Sequence, residues 1–390
     1  MLLHNHTPFP AIAWPNQDHR GRDYTSVVVR VKCTLQAPDA QGLRPIRFAP
    51  EQGALFGEDI FYDEENDPET TSVAYESDYC PYKPNTDVIL NAIAQAPHGN
   101  PTPTWTCGLQ VIRLQKNQHQ QIQPLSLIDK TLHISGPRHW ILNRKLGYRR
   151  WKLSAPEPIS QLPLRYEYAY GGSIPHLDTE QNNTDPYLAS HPGNPTGLGI
   201  LHPDQLRAHP APKQVAAPQI LLIKEATKLN NIITCRRLST AISVAGFGII
   251  HRAWQPRQDK VGTTDADWLA NKAPLLPDDF DERHNNSAPE DQQITGYAQP
   301  GDLILLNNLY RERIAFRLPS MAFIAGWRAT DTTPYQATAP ALDTIIIDTL
   351  AEDPDDWAVY LSWRKRMPSS IDIRLDLQVT DSLRQPAAGA

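Results

Sequence analysis

Apolar positions in this chain recur with a period of two far more often than with the period of a helix. From Ser26 to Leu35, Val27, Val29, Val31, Cys33 and Leu35 fall on one side and Val28, Arg30, Lys32 and Thr34 on the other. That is the alternation of a half-buried strand whose second side meets water. The pattern returns at Trp105, Cys107, Leu109 and Val111, at Leu162, Leu164, Tyr166, Tyr168 and Tyr170, at Trp357, Val359, Leu361 and Trp363, and at Ile371, Ile373, Leu375, Leu377 and Val379. Asp302 to Leu309 and Arg313 to Leu318 flank the short polar connection Tyr310-Arg311-Glu312, which predicts a β-hairpin. Helical signals are few: Asp265 is placed to cap a run ending near Asn271 before Pro274 stops it, and Pro289 to Gln293 predicts another short helix. The expected fold is mainly β: multi-stranded antiparallel sheets packed as one large body, sandwich-like or barrel-like, with long ordered loops and a few short helices.

Composition sharpens this picture. The 36 prolines against 20 glycines disfavour long helices, and between about Ser173 and Pro218 Pro, His, Asn and Gly accumulate into a long irregular excursion expected to be a stiff loop. At 390 residues the length alone suggests roughly two or three domains, although the patterning favours one packed body. A net charge of −6, with basic clusters no longer than Arg149-Arg150 and Arg364-Lys365-Arg366, argues against a nucleic-acid partner. Cys33, Cys80, Cys107 and Cys235 form no C-x-x-C and read as buried or incidental thiols. The N-terminus lacks a signal-peptide pattern and no apolar stretch approaches a bilayer span, so a cytoplasmic protein without membrane insertion is expected.

The segment Tyr75-Glu76-Ser77-Asp78-Tyr79-Cys80-Pro81-Tyr82-Lys83-Pro84-Asn85-Thr86-Asp87 leads an acidic, aromatic, proline-stiffened turn into an apolar strand. Two readings stand: a recognition surface from which Tyr75, Glu76, Asp78, Lys83 and Asp87 hang on a rigid loop, or a structural turn whose carboxylates cap backbone N–H groups. The run His251 to Leu269 interleaves Trp254, Arg257, Asp265 and Trp268, either as interface anchors or as core tryptophans with arginines neutralising buried acids. Pro277 to His284, with Asp279, Phe280 and Asp281, is the densest cluster of acids and imidazole. Adjacent positions diverge and no distant cluster completes a ligand shell, so neither a metal nor a cofactor is expected there. His4-Asn5-His6 likewise has no second ligand nearby. Gly171-Gly172 and Gly246-Phe247-Gly248 lack the spacing of a phosphate loop and read as tight bends. No G-x-S-x-G occurs and no positioned histidine marks a nucleophile.

Taken in order, these motifs resemble a family. Ser77-Asp78, Lys83-Pro84 and Thr86-Asp87-Val88 are followed by Gly136-Pro137-Arg138-His139-Trp140, Pro163-Leu164-Arg165-Tyr166-Glu167 and Gly171-Gly172. Asn194-Pro195, Gly246-Phe247-Gly248, Trp254, Pro256-Arg257, Gly262-Thr263, Asp265, Trp268-Leu269 and Asp279-Phe280-Asp281 complete the series. It is similar to the domain of unknown function family 2169, found among type VI secretion effector adaptors and chaperones, with the likeness running from about Leu3 to Pro319. Asn91 stands where a glycine is expected, and Ala217-Pro218-Gln219-Ile220 where Leu-Pro-Asn-Leu-Glu is common. The resemblance implies an adaptor domain over 1–320 and a C-terminal β extension over 321–380, and the composition of the last residues predicts a disordered tail over 381–390. It also implies a non-enzymatic adaptor or chaperone that binds a toxin effector, stabilises it and helps load it on the spike tip, beside the trimeric spike protein and its conical cap. The alternatives from the residues are a β-rich hydrolase acting on a carbohydrate or cell-wall substrate, with Glu76 and Asp78 or Asp279 and Asp281 as paired acids, and a structural component of the baseplate.

Overall fold

The computed structural model describes residues 1–63, 67, 70–117, 120–145, 148–173, 190–201, 213–229 and 242–379. Cys235, much of the irregular excursion and the tail at 381–390 lie outside the described residues. Strand residues outnumber helical ones, 44% to 10%, and among the described residues the sheets stay open, with no closed barrel.

The largest sheet runs, in spatial order, Gln293–Thr295, Asn85–Asn91, Ala341–Asp348, Ala358–Pro368, Asp23–Leu35 and Ala11–Gln17, with Ile46–Phe48 added beside Asp23–Leu35. Its pairs are antiparallel except for Asn85–Asn91 against Ala341–Asp348, where Thr344 lies opposite Asp87. A five-stranded sheet orders Ile220–Leu222, Ile122–Ser135, Thr104–Lys116, Leu303–Asn307 and Ile314–Arg317. The last two are the predicted hairpin, with Leu303 opposite Arg317. A four-stranded sheet contains Leu2–Asn5, Asp372–Val379, Met321–Arg328 and Gln336–Thr338, and a three-stranded one Tyr148–Leu153, His139–Lys145 and Gln214–Ala216.

The period-two positions explain how the layers meet. Val27, Val29, Val31 and Cys33 from the large sheet, Leu109, Val111, Leu132 and Phe316 from the five-stranded sheet, and Phe323, Ile373 and Leu375 from the four-stranded sheet share one core. A second cluster around Trp140, Trp151, Tyr170 and Leu221 lies under the three-stranded sheet.

Two expectations are corrected. The far side of Asp23–Leu35 does not face water: Val28 and Arg30 are buried, because the segments 52–63 and 70–84 fold over that face and bring the Phe56 ring and Asp78 onto Arg30. The alternation from Leu162 to Tyr170 is not one strand but Gln161–Pro163, a turn at Tyr166–Tyr168 and a two-residue strand Tyr170–Gly171. Pro163 lacks the N–H to continue a ladder, and Glu167 turns inward to accept from Ser72 N and Oγ at 2.9 and 2.8 Å. A further helix, Ile223–Leu229, which the sequence patterning did not predict, buries Glu225 and Leu229.

The predicted helix is present as Ala266–Asn271, with Asp265 as its N-cap accepting from Trp268 N at 2.9 Å. The second helical signal forms only a 3-10 turn, Glu290–Gln292.

Candidate functional site

The outer face of the large sheet carries a string of buried ion pairs. Asp87 projects from Asn85–Asn91, Asp343 from the neighbouring strand, and Arg364 and Arg30 from the next two. Arg30 meets Asp78 at 2.6 Å, Arg364 meets Asp343 at 2.7 Å, Lys83 meets Asp87 at 2.7 Å and Arg257 meets Glu76 at 2.7 Å. Arg364 also donates to the Asp78 carbonyl at 3.1 Å, and Lys83 Nζ lies 3.8 Å from Glu76. Four cations therefore balance four anions, which is the condition for holding so many charges away from water.

Of the two readings of the charged loop, these pairs support the structural turn for Lys83 and Asp87. Lys83 and Asp87 are buried, so the stiff turn presents its backbone and its aromatic edge outward while its charges point in. Besides Lys83, Asp87 accepts from Asn286 Nδ2, Ser287 N, Ser287 Oγ and Ala288 N, locking residues 286–288 onto the sheet. Tyr75 donates to the Asp348 carboxylate. Asn91, in place of the expected glycine, is fully buried; its Nδ2 donates to the Ala74 carbonyl and its Oδ1 accepts from Tyr62.

Outside this string lies an open cleft of about 630 Å³, lined by residues 57–61, by Glu76, Ser77, Tyr79, Cys80 and Pro81, and by Arg252, Arg257, His284 and Asn285. Arg252 holds both oxygens of Asp59 at 3.0 Å. Burial alone would raise the Glu76 carboxyl, but Arg257, Lys83 and Arg252 outweigh it and hold it at about 2. His284 Nδ1 sits 2.9 Å from the Arg257 carbonyl. A carbonyl only accepts, so Nδ1 carries the proton, and burial keeps the ring below its ordinary value and neutral. Burial also pushes the Cys80 thiol up, away from a reactive thiolate.

One wall continues into a lobe spanning residues 258–285. Asp279 accepts from Thr263 N and Oγ1 at 2.8 and 2.7 Å. Gly262 makes this possible: its φ is +89°, and a Cβ there would lie 2.6 Å from Asp279 Oδ1. Asp281 caps the turn Glu282–Asn285 and pairs with Arg283, Phe280 packs edge-on to His284, and Trp268 Nε1 donates to the Leu275 carbonyl at 3.0 Å. Trp254 is a core anchor, perpendicular to Tyr166.

The candidates thus separate. Glu76 and Arg257 reach the cleft, Tyr75, Asp78, Lys83 and Asp87 hold the interior behind it, and Asp265, Trp268, Asp279, Phe280 and Asp281 shape the lobe. Sequence reasoning missed Asp59 and Phe61 in the cleft; neither belongs to a motif, and only tertiary packing brings them there. Among the described residues no group of three or more His, Cys, Asp or Glu side chains is placed to hold a metal ion, and no helix is long and apolar enough to cross a membrane.

A family model described as an uncharacterized protein conserved in bacteria, DUF2169, matches residues 20–364. The chain belongs to this family. The DUF2169 match runs past the hairpin and takes in both Ala341–Asp348 and most of Ala358–Pro368, the two strands that carry Asp343 and Arg364. No curated protein and no solved structure matches the chain.

Proposed function

We propose that this protein is a non-enzymatic adaptor that binds a toxin effector of the type VI secretion system in the cytoplasm, stabilises it and helps load it on the spike tip. The observation that carries this reading is that the acids a hydrolase would use are engaged in building the fold. Glu76 and Asp78 sit in ion pairs with Arg257 and Arg30, and Asp279 and Asp281 hold the turns of the lobe. A general acid or base needs a proton-transfer position open to substrate and a value near working pH, whereas Glu76 is held at about 2. The outward groups suit a protein partner instead: Tyr79 and Ile60 at the cleft rim and Leu269 and Leu276 on the lobe are exposed apolar residues, of the kind that anchors interfaces when surrounded by polar groups.

Deleting the protein is the deciding experiment. The cognate toxin's intracellular level and its secretion are expected to fall, by mass action on the competent form, while the sheath-expelled tube protein is still secreted. Loss of tube secretion would make the protein a machine component, and unchanged toxin level and delivery would overturn the adaptor reading.

A finer test addresses the lobe. Leu269 is 68% exposed, so Leu269→Glu is expected to change stability by no more than about 0.5 kcal/mol while reducing toxin capture in a pull-down with the purified toxin. Equal capture by the variant would remove the lobe from the interface.

A further inference from the structure

The Gly136-Pro137-Arg138-His139-Trp140 motif lies outside the cleft, and its role is independent of the adaptor reading. The strand Ile122–Ser135 ends just before it and His139–Lys145 begins within it, so it carries the chain from the five-stranded to the three-stranded sheet. Gly136 permits this passage: a Cβ there would sit 1.7 Å from the Glu157 carbonyl oxygen. On Ile122–Ser135, Leu132 and Ile134 belong to the main core. His133 and Ser135 therefore face the other way, toward Leu221, which lies opposite His133 and shares the second core cluster with Trp140.

Arg138 is 6% exposed, and its Nε and Nη2 reach no acceptor. Among the described residues no carboxylate pairs with it. Burial pulls its guanidinium down with no opposing charge, in contrast to Arg30, Arg257 and Arg364, each of which has its acid. Ser135 Oγ and Trp140 Nε1 are also buried without a partner. A guanidinium does not deprotonate in proteins, and an isolated buried ion is among the most unfavourable arrangements a core can hold without a counter-charge. The two unfilled nitrogens form one edge of the guanidinium, where two parallel N–H groups match two oxygens of a carboxylate or phosphate.

We propose that this turn is an anion site, in which the Nε and Nη2 edge of Arg138 holds a small oxyanion, phosphate or carboxylate, with Ser135 and Trp140 as neighbouring donors. His133 is a built-in reporter: burial and then the charge of Arg138 hold its imidazole below the ordinary value, and a bound anion cancels the second effect.

The test uses the full chain with sodium phosphate and with sodium acetate, each against sodium chloride at matched ionic strength. At least one oxyanion is expected to raise the melting temperature saturably, and the effective salt tells phosphate from carboxylate. Phosphate also strengthens burial in proteins generally, so Arg138→Met supplies the baseline and is expected to lose the saturable increment. An equal increment in Arg138→Met, or none in the wild type, would overturn the site. Should that variant fail to fold, the His133 titration followed by NMR in the wild type decides. Its midpoint is expected to rise with the oxyanion and not with chloride, and an unmoved midpoint overturns the proposal.

Discussion

Asp87→Ala is expected to destabilise the fold by about 3–5 kcal/mol, the range for removing one partner of a buried charge pair. The carboxylate accepts from Lys83 Nζ at 2.7 Å and from side-chain and backbone donors of residues 286–288 at 2.9 to 3.3 Å. Its loss strands the Lys83 ammonium in the interior, where Asp87 and Glu76 together now outweigh burial and keep Lys83 above its ordinary value. Denaturation in urea reads this directly. The double variant Lys83→Met with Asp87→Leu is expected to lose less than Asp87→Ala alone, since neither charge is then left uncompensated. A loss below about 1 kcal/mol for Asp87→Ala would mean that water reaches the carboxylate.

The second large effect is acid sensitivity. The Glu76 carboxyl falls from its ordinary 4.5 to about 2 in the folded protein. A depressed acid contributes stability that is present above the unfolded value and disappears as the pH drops through the folded one. Glu76 is therefore expected to contribute on the order of 3 kcal/mol at neutral pH, lost between about pH 4.5 and pH 2. Glu76→Gln should be less stable than wild type at pH 7, with the gap closing as the pH approaches 2. A gap that stays constant over that window would show that shape, not charge, makes Glu76 necessary.

The sheets were legible because burial on the core side follows the period of two. Val27, Val29, Val31 and Cys33, and likewise Val359, Leu361 and Trp363, face the main core as their spacing predicts. What the pattern could not disclose is the second cover. Arg30 and Arg364 look like solvent-facing members of half-buried strands; Arg364 finds its acid, Asp343, on the neighbouring strand, while Asp78 reaches Arg30 from the segment 70–84, which with residues 286–293 covers that face and turns its polar side inward. Lys83 stood open in a similar way: beside a proline it reads equally as surface or as part of a structural turn, and a partner four positions on and 2.7 Å away makes it interior. The cleft was half visible, through Glu76 and Arg257. Asp59 and Phe61 arrive from a segment with no periodicity, so their place depends on tertiary contacts that local pattern does not encode. At the lobe, by contrast, the Asp265 cap was readable because capping is a local interaction.

The parallel pairing of Asn85–Asn91 with Ala341–Asp348 has a consequence for the order of events during synthesis. Thr86 and Leu342, 256 positions apart, touch through a side-chain hydrogen bond, so a central seam of the large sheet joins one strand to another synthesised much later. A nascent chain ending at the hairpin Leu303–Ile314 would hold Asn85–Asn91 with one long edge open, its apolar residues and unpaired amides waiting. Contacts this distant in sequence form slowly, and a large chain held partly folded exposes the surfaces that aggregate. The ribosome must therefore have emitted the chain past Asp348 before the sheet can close over its own middle.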